Sequence, residues 1–306
     1  MGGAARFLDE LKRWLARGRH PEVRLVGEGR SLSPQWLVRR DLTARSGLRV
    51  ALNNVSFVGL GERRTLLRNA LHWLNDDERA QHTAGLPRSF AAEVRIVRAT
   101  ARRADRLVVP CTAMADRVAA AAPHLADKLV VRHHPLTALP APDESVPRAI
   151  LVPVLLAGYK RMDRHLVALL AALDRTGDRE TEVRVTARAD QLPPELARDP
   201  RVELLGPLST QDIAEEWGRC ALVYYPTGLE SFGYPLAEAR ASGRHVIAQD
   251  SKQNLEIGGP ALRGFTVDDP SSLAAAVEDA VSMPLPSPDP APFDPDRYFR
   301  DLLDVS

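Results

Sequence analysis

Two carboxylates, Glu230 and Glu238, bracket a turn within the stretch of this 306-residue chain whose residue types say most about chemistry. It reads Tyr224-Tyr225-Pro226-Thr227-Gly228-Leu229-Glu230-Ser231-Phe232-Gly233-Tyr234-Pro235-Leu236-Ala237-Glu238-Ala239. A β-type run, Ala221 to Tyr225, enters a polar turn with Gly228, and a second glycine, Gly233, precedes a helical run from Pro235. Proline suits the first turn of a helix, where its missing N–H has no intrahelical partner. Backbone amides at a helix N-terminus attract polar or anionic ligands. A carboxylate beside them can take a pair of sugar hydroxyls, as the acidic residue of a dinucleotide site does with ribose. Paired carboxylates also serve glycoside hydrolysis. A nucleotide-type turn between Glu230 and Glu238 argues against that use.

Composition bounds the classes to consider. The length suffices for two α/β domains, and 44% hydrophobic residues suffice for real cores. No apolar run approaches a membrane span, and Met1-Gly2-Gly3 opens no secretory signal. Cys111 and Cys220 are isolated, without metal or redox spacing, so a reducing cytoplasm is expected. The Arg, Ala and Pro bias suits a high-GC bacterial genome. A formal net charge of +1 hides a division: residues 1–140 hold 24 Lys and Arg against 13 Asp and Glu, and the rest holds 17 against 27. A basic half beside an acidic half points to different partners for each, or to two domains that attract one another.

The elements that must position the two carboxylates can be read in order. Phe7, Leu8, Leu11, Trp14 and Leu15 recur at helical spacing, which predicts a helix over residues 4–17. Glu22 to Gly27 reads as a strand, and so does Leu48 to Val58, with Asn53 and Asn54 inside it. That pair must find hydrogen-bond partners if buried; a cleft-lining role and a structural turn both stay open. Residues 62–75 read as helical, with His72 as a packed or surface residue. A helix over 89–104, a strand over 106–110, a helix over 114–122 and a strand over 128–132 complete the first half. His133 and His134 lack the partners a metal site needs and read as hinge residues. Strands then begin near 149, 182, 202, 221, 245 and 264, and helices run to Leu173, from Ser209 to Trp217, from Pro235 to Gly243 and over 272–281. Asp76-Asp77 and Asp268-Asp269 read as helix-start or turn acids. Alternating strands and helices imply parallel, doubly wound sheets.

Glu-Ser-Phe-Gly-x-Pro-x-x-Glu-Ala after a strand resembles the donor-sugar motif of family 4 glycosyltransferases, retaining enzymes of the GT-B fold. The resemblance implies an α/β chain with two Rossmann-like doubly wound domains facing across a cleft. It places an acceptor-side domain at 1–138, a linker at 139–148 and a nucleotide-sugar domain at 149–283. A Pro-rich segment and terminal helix at 284–306 would cross back to the first domain. The family begins with a strand before a Gly-Gly turn; here Met1-Gly2-Gly3 sits at that turn. The first domain is therefore expected to be shortened, or the true start to lie upstream.

The resemblance also implies roles. Glu230 orients donor-sugar hydroxyls with help from Ser231 and the amides of Phe232, Gly233 and Tyr234, and Glu238 accepts the ribose hydroxyls. Lys160 takes the position of a diphosphate-binding lysine. The partner arginine of the pattern falls at Leu155, so Arg161 or Arg164 is expected to substitute. Gly206 to Leu208 occupy the nucleobase loop. Lys252 and Asn254 replace a glycine pair and are expected to offer donor contacts. The implied reaction retains configuration and needs no metal or cofactor beyond the nucleotide-sugar. The acceptor is expected to be acidic or at a membrane surface, with the enzyme at the inner face. Nucleic acid is not an expected partner, and a homodimer or partner protein stays open. Two other classes compete. A dinucleotide oxidoreductase predicts Gly-x-Gly-x-x-Gly, and Gly59-Leu60-Gly61 is followed by Arg64 where the third glycine belongs. A degenerate GT-B partner subunit would keep the fold without turnover.

Overall fold

Strand pairing in this chain is parallel throughout the described residues. The computed structural model describes residues 3–18, 20, 22–30, 33–44, 47–83, 86–87, 89–137, 139–142, 149–153 and 162–305. They fall into two compact units: Phe7–Pro135 with Asp294–Ser306, and Met1–Arg6 with Leu136–Phe293. Among them no helix is long and apolar enough to cross a membrane.

The first unit holds a four-stranded sheet in the order β1 (Arg49–Ala51), β2 (Arg63–Leu66), β3 (Arg106–Val109), β4 (Leu129–Val131). Helices α2 (Pro34–Thr43), α3 (Asp76–His82), α4 (Ser89–Ala101) and α5 (Thr112–Ala121) belong to it. So do most of α1 (Gly3–Gly18) and all of α12 (Pro295–Leu303). The stripe read from α1 is the stripe that is buried: Phe7, Leu11 and Trp14 pack with Tyr298, Phe299 and Leu302 of α12. Polar groups tie α12 to α1 and to β2. Trp14 Nε1 donates to Asp296 at 3.0 Å, and Arg64, 3% exposed, donates to the carbonyls of Asp301 and Leu302.

Several expectations for this half need correction. Glu22 to Gly27 pairs with no strand, and Gly27 adopts a left-handed φ of 83° that turns the chain. Residues 62–75 are not one helix but β2 followed by a 3₁₀ turn over Ala70–Trp73. β2 lies between β1 and β3, buried on both faces. Its four residues, Arg63-Arg64-Thr65-Leu66, are too few to carry a period that separates strand from helix. Only Arg49–Ala51 of the expected Leu48–Val58 strand forms. Asn54 sits at φ 69°, and its side-chain oxygen accepts from the Arg68 amide, so this asparagine makes a turn. Gly59 to Gly61 lead into strand β2 rather than a helix, which removes the dinucleotide fingerprint. Asp76 and Asp77 start α3, capped by Asn75.

The second unit carries six parallel strands: β5 (Ile150–Val152), β6 (Val183–Val185), β7 (Val202–Leu204), β8 (Leu222–Tyr225), β9 (His245–Gln249) and β10 (Leu262–Phe265). Across the sheet they run β10-β9-β8-β5-β6-β7, so the winding reverses between β5 and β8. Helices α6 (Met162–Arg175) and α11 (Pro270–Ser282) pack together over a core that includes Ile150, Leu166, Leu169, Val183 and Val277. Helices α9 (Tyr234–Ser242) and α10 (Lys252–Gly258) pack together elsewhere, while α7 (Pro194–Ala197) and α8 (Thr210–Arg219) flank β7 in sequence. The Pro-rich segment lies along α9: Asp289 pairs with Arg240 at 2.7 Å, and the Arg240 carbonyl accepts from the Asp289 amide. Asp268 takes a left-handed turn and Asp269 caps α11.

Three histidines sit inside these packings. His72 is 1% exposed beside Glu93, His134 is 3% exposed against Phe7 and Tyr298, and His245 is fully buried. Burial lowers the pKa of each, most of all for His134. The folded state therefore holds these rings neutral, while the unfolded chain protonates them near 6.5. Their contribution is full above that value and is lost as pH falls through and below it. We expect the thermal midpoint to hold above about pH 6.5 and to drop as pH falls from there to about 5.5, each ring costing up to about 1.4 kcal/mol per pH unit. Replacing His134 with Gln should flatten that slope in a pH series of melts.

Candidate active site

The reversal between β5 and β8 decides where a ligand fits. Right-handed crossovers send the connection after β5 to one face of the sheet and the connection after β8 to the other. In open parallel sheets the segments that follow two such strands part at the strands' carboxyl ends, and ligands bind there. Residues 226–233 leave β8 at this point. Strand β5 runs beside β8 up to that point, with Ile150 opposite Leu222 and Leu151 opposite Val223. Lys160 and Arg161 belong to the connection after β5 and lie outside the described residues, as does Leu155.

The 226–233 turn is shaped from three sides. Gly233 has φ 86°, and a Cβ there would lie 2.8 Å from Leu236 Cδ1 and 3.3 Å from the Tyr225 ring. The glycine thus satisfies a backbone angle and a packing limit together. Gln249, at the end of β9, donates to the Pro226 carbonyl at 2.5 Å, and Gln253 of α10 donates to the Phe232 carbonyl at 3.3 Å. Phe232 is 2% exposed and meets Tyr234 edge-on at 5.2 Å, so its ring is core and its backbone faces the turn. Tyr224, fully buried, donates to the His165 carbonyl in α6, tying β8 to the helix that follows β5.

The other expected site residues spread around this edge. Glu230 and Ser231 are half-buried on the turn. Arg164 is exposed in the first turn of α6. Gly206 has φ 68° and leads through half-buried Leu208 into Ser209, which caps α8 with a reciprocal bond to Asp212. Lys252 is exposed at the start of α10. Asn254 is 4% exposed, and its amide donates to the Gln249 carbonyl at 2.8 Å. That bond holds the β9–α10 corner, so the Asn254 side chain points its donor at protein.

Helix α9 starts at Tyr234, one residue before the expected start, with Pro235 second. It is buried nearly all round, and Ala237, Ala239 and Ala241 let its neighbours approach. Glu238 lies within it at 2% exposure. A carboxylate at such a depth stays charged only with a partner. Arg6, within the stretch Met1–Arg6 that clusters with this unit, supplies it through an ion pair with Glu238. The Arg6 guanidinium also lies 5.9 Å from the centre of the Tyr234 ring. Nothing in the sequence signalled this pair, because the partners are 232 positions apart and belong to no shared motif. Gln249 and Gln253 were missed for the same reason. Among the described residues, no three His, Cys, Asp or Glu side chains are grouped to hold a metal ion.

The two parallel sheets with their helices define an α/β class of fold. Residues 150–283 match the family described as Glycosyl transferases group 1, a match that lies within the second unit and covers less than half of the chain. Among solved structures, the chain is similar to WaaG, a glycosyltransferase involved in lipopolysaccharide biosynthesis, at 14% identity and a TM-score of 0.61, over 98% of this chain and 92% of that one. It is similar to Anabaena HepE in complex with UDP and glucose at 17% identity and a TM-score of 0.54, over 72% and 62%. It is also similar to a TarM variant of S. aureus at 13% identity and a TM-score of 0.53, over 79% and 47%. The chain thus spans under two thirds of HepE in that complex and about half of TarM. No curated protein matches it. The α/β, GT-B type fold expected from the sequence is the fold found.

Because Gly233 meets two constraints at once, Gly233→Ala should destabilise the protein by about 2 kcal/mol or more through left-handed strain and overpacking. Gly218→Ala, at a position where a Cβ meets nothing within 4 Å, should have no such cost. Chemical denaturation of the two variants checks the difference.

Proposed function

We propose that this chain is a glycosyltransferase that moves a sugar from a nucleoside-diphosphate donor to an acceptor with retention of configuration. The observation that carries the reading is the Glu230–Glu238 turn and helix leaving the sheet at the β5/β8 reversal. The family match over 150–283 and the likeness to solved glycosyltransferases support it.

Cleaving the sugar–diphosphate bond builds charge in two places: the diphosphate gains negative charge, and the sugar becomes electron-poor at its reacting carbon. The start of α9 faces the first, with Lys160 and Arg161 or Arg164 as the cations of the β5–α6 connection. A helix end contributes only about 0.3–1 kcal/mol at an exposed surface, so a water-poor site must strengthen it. Glu230 and Ser231 would orient the sugar hydroxyls and Glu238 the ribose. Gly206 and Leu208 would border the base, while Asn254 supports the loop from behind. Metal independence belongs to this reading and is checked by assaying in excess EDTA.

The experiment is a donor screen with UDP-, GDP- and dTDP-sugars, scored by nucleotide release. HepE was solved with UDP and glucose, so a UDP-sugar is the first donor to try. Turnover should fall about 100-fold in Glu230→Gln, since misplaced sugar hydroxyls cost about that much. The reading fails if none of the three nucleotides binds. Binding without turnover would favour a degenerate partner subunit.

The acceptor side is proposed from charge. Residues 1–140 carry a net positive balance, and α2 leaves Val38 60% and Leu42 80% exposed beside Arg39. We expect sedimentation with vesicles containing anionic phospholipid, lost in about 0.5 M salt, where the screening length is only a few ångströms. Leu42→Glu should weaken it.

A further inference from the structure

Glu238 is the residue assigned to the ribose, yet its carboxylate is already engaged by a cation from a distant part of the chain. Arg6 and Glu238 form an ion pair with side chains 17% and 2% exposed. The start of α1 lies on Tyr234, the first residue of α9: a Cβ at Gly3 would sit 3.4 Å from two carbons of that ring. The Arg6 guanidinium stands 5.9 Å from the same ring's centre. A positive group is therefore held at the start of the helix proposed to face the diphosphate.

We propose that Arg6 is a donor-binding residue, pairing with Glu238 in the free protein and turning to the donor diphosphate when ribose takes that carboxylate. The inference rests on the donor-site reading given above, and it adds a residue outside residues 150–283. Three physical points carry it. A ribose is joined to its diphosphate through a single methylene, so a cation touching the ribose carboxylate is within a side chain's reach of the phosphates. Arginine offers five donors in a planar fork, and phosphate accepts them in pairs. Ribose hydroxyls donating to Glu238 replace the ion pair that Arg6 makes, which frees the guanidinium as the anion arrives. Without Arg6, the Glu238 charge would instead stand unneutralised beside an incoming dianion.

The test compares a nucleoside diphosphate with its parent nucleoside. Calorimetry selects the tightest of UDP, GDP and dTDP on the unaltered protein, and NMR titration measures the matching nucleoside, which has no phosphate. In Arg6→Gln the diphosphate should bind about tenfold or more weakly, the scale of one lost charge-assisted pair, while the nucleoside changes by less than about threefold. Arg6→Lys should recover part of the loss, and diphosphate binding by Arg6→Gln should depend less on salt. Circular dichroism and melting of both variants confirm that they fold. Equal losses for diphosphate and nucleoside would overturn the proposal, since Arg6 would then only support Glu238. Unchanged or tighter diphosphate binding by Arg6→Gln would also overturn it and make Arg6 an occluding partner. If the unaltered protein binds no nucleotide, the donor-site reading itself falls, which is a separate result from either variant outcome.

Discussion

The reversal of strand order between β5 and β8 is the constraint on which the rest of the second unit depends. Parallel strands joined by right-handed crossovers leave a gap only where the winding changes sense. Everything proposed as chemistry hangs from the two connections that part there. Strands β5 and β8 are buried through their length, and the sheet is held by Val, Ile and Leu in β5, β6 and β8 and by the α6–α11 pair. That packing leaves the carboxyl edge to glycines and polar residues.

A second constraint follows from burying α9. A helix covered on nearly all sides must be made of small or apolar residues, and most of α9 is. Glu238 breaks the pattern. Removing one partner from a buried ion pair typically costs about 3–5 kcal/mol, because the other charge is left without compensation. The cost of keeping a carboxylate there is thus met locally by Arg6. A charge retained under such conditions is an inefficient way to stabilise a fold, which favours a binding role for it.

The braces around the turn show how a departure from a familiar pattern is absorbed. Where the resemblance has two glycines, this chain places Lys252, Gln253 and Asn254. Gln253 and Gln249 hold carbonyls of the 226–233 turn, and Asn254 holds the carbonyl of Gln249. Side chains thus do here, by hydrogen bonding, the work of fixing one loop against the next. A buried carbonyl gains from any donor in reach, so the geometry tolerates many sequences.

Some of this was legible in residue order alone. The Pro226 to Glu238 pattern declared a strand, a turn and a helix start because proline, glycine and short-range periodicity act within a few residues. The α1 stripe and the strands of the second unit were readable for the same reason. The short strand β2 was not. Four residues, Arg63 to Leu66, are too few to show a local period, and only pairing with β1 and β3 makes them β. Glu22 to Gly27 failed in the opposite sense, having strand-like residues and no strand to pair with. The sequence by itself determined which carboxylates are candidates and where along the chain they fall. Tertiary structure alone decided what each of them meets. The partner of Glu238 and the braces from Gln249 and Gln253 depend on contacts between positions far apart, and charge pairing at a distance leaves no period or spacing to read.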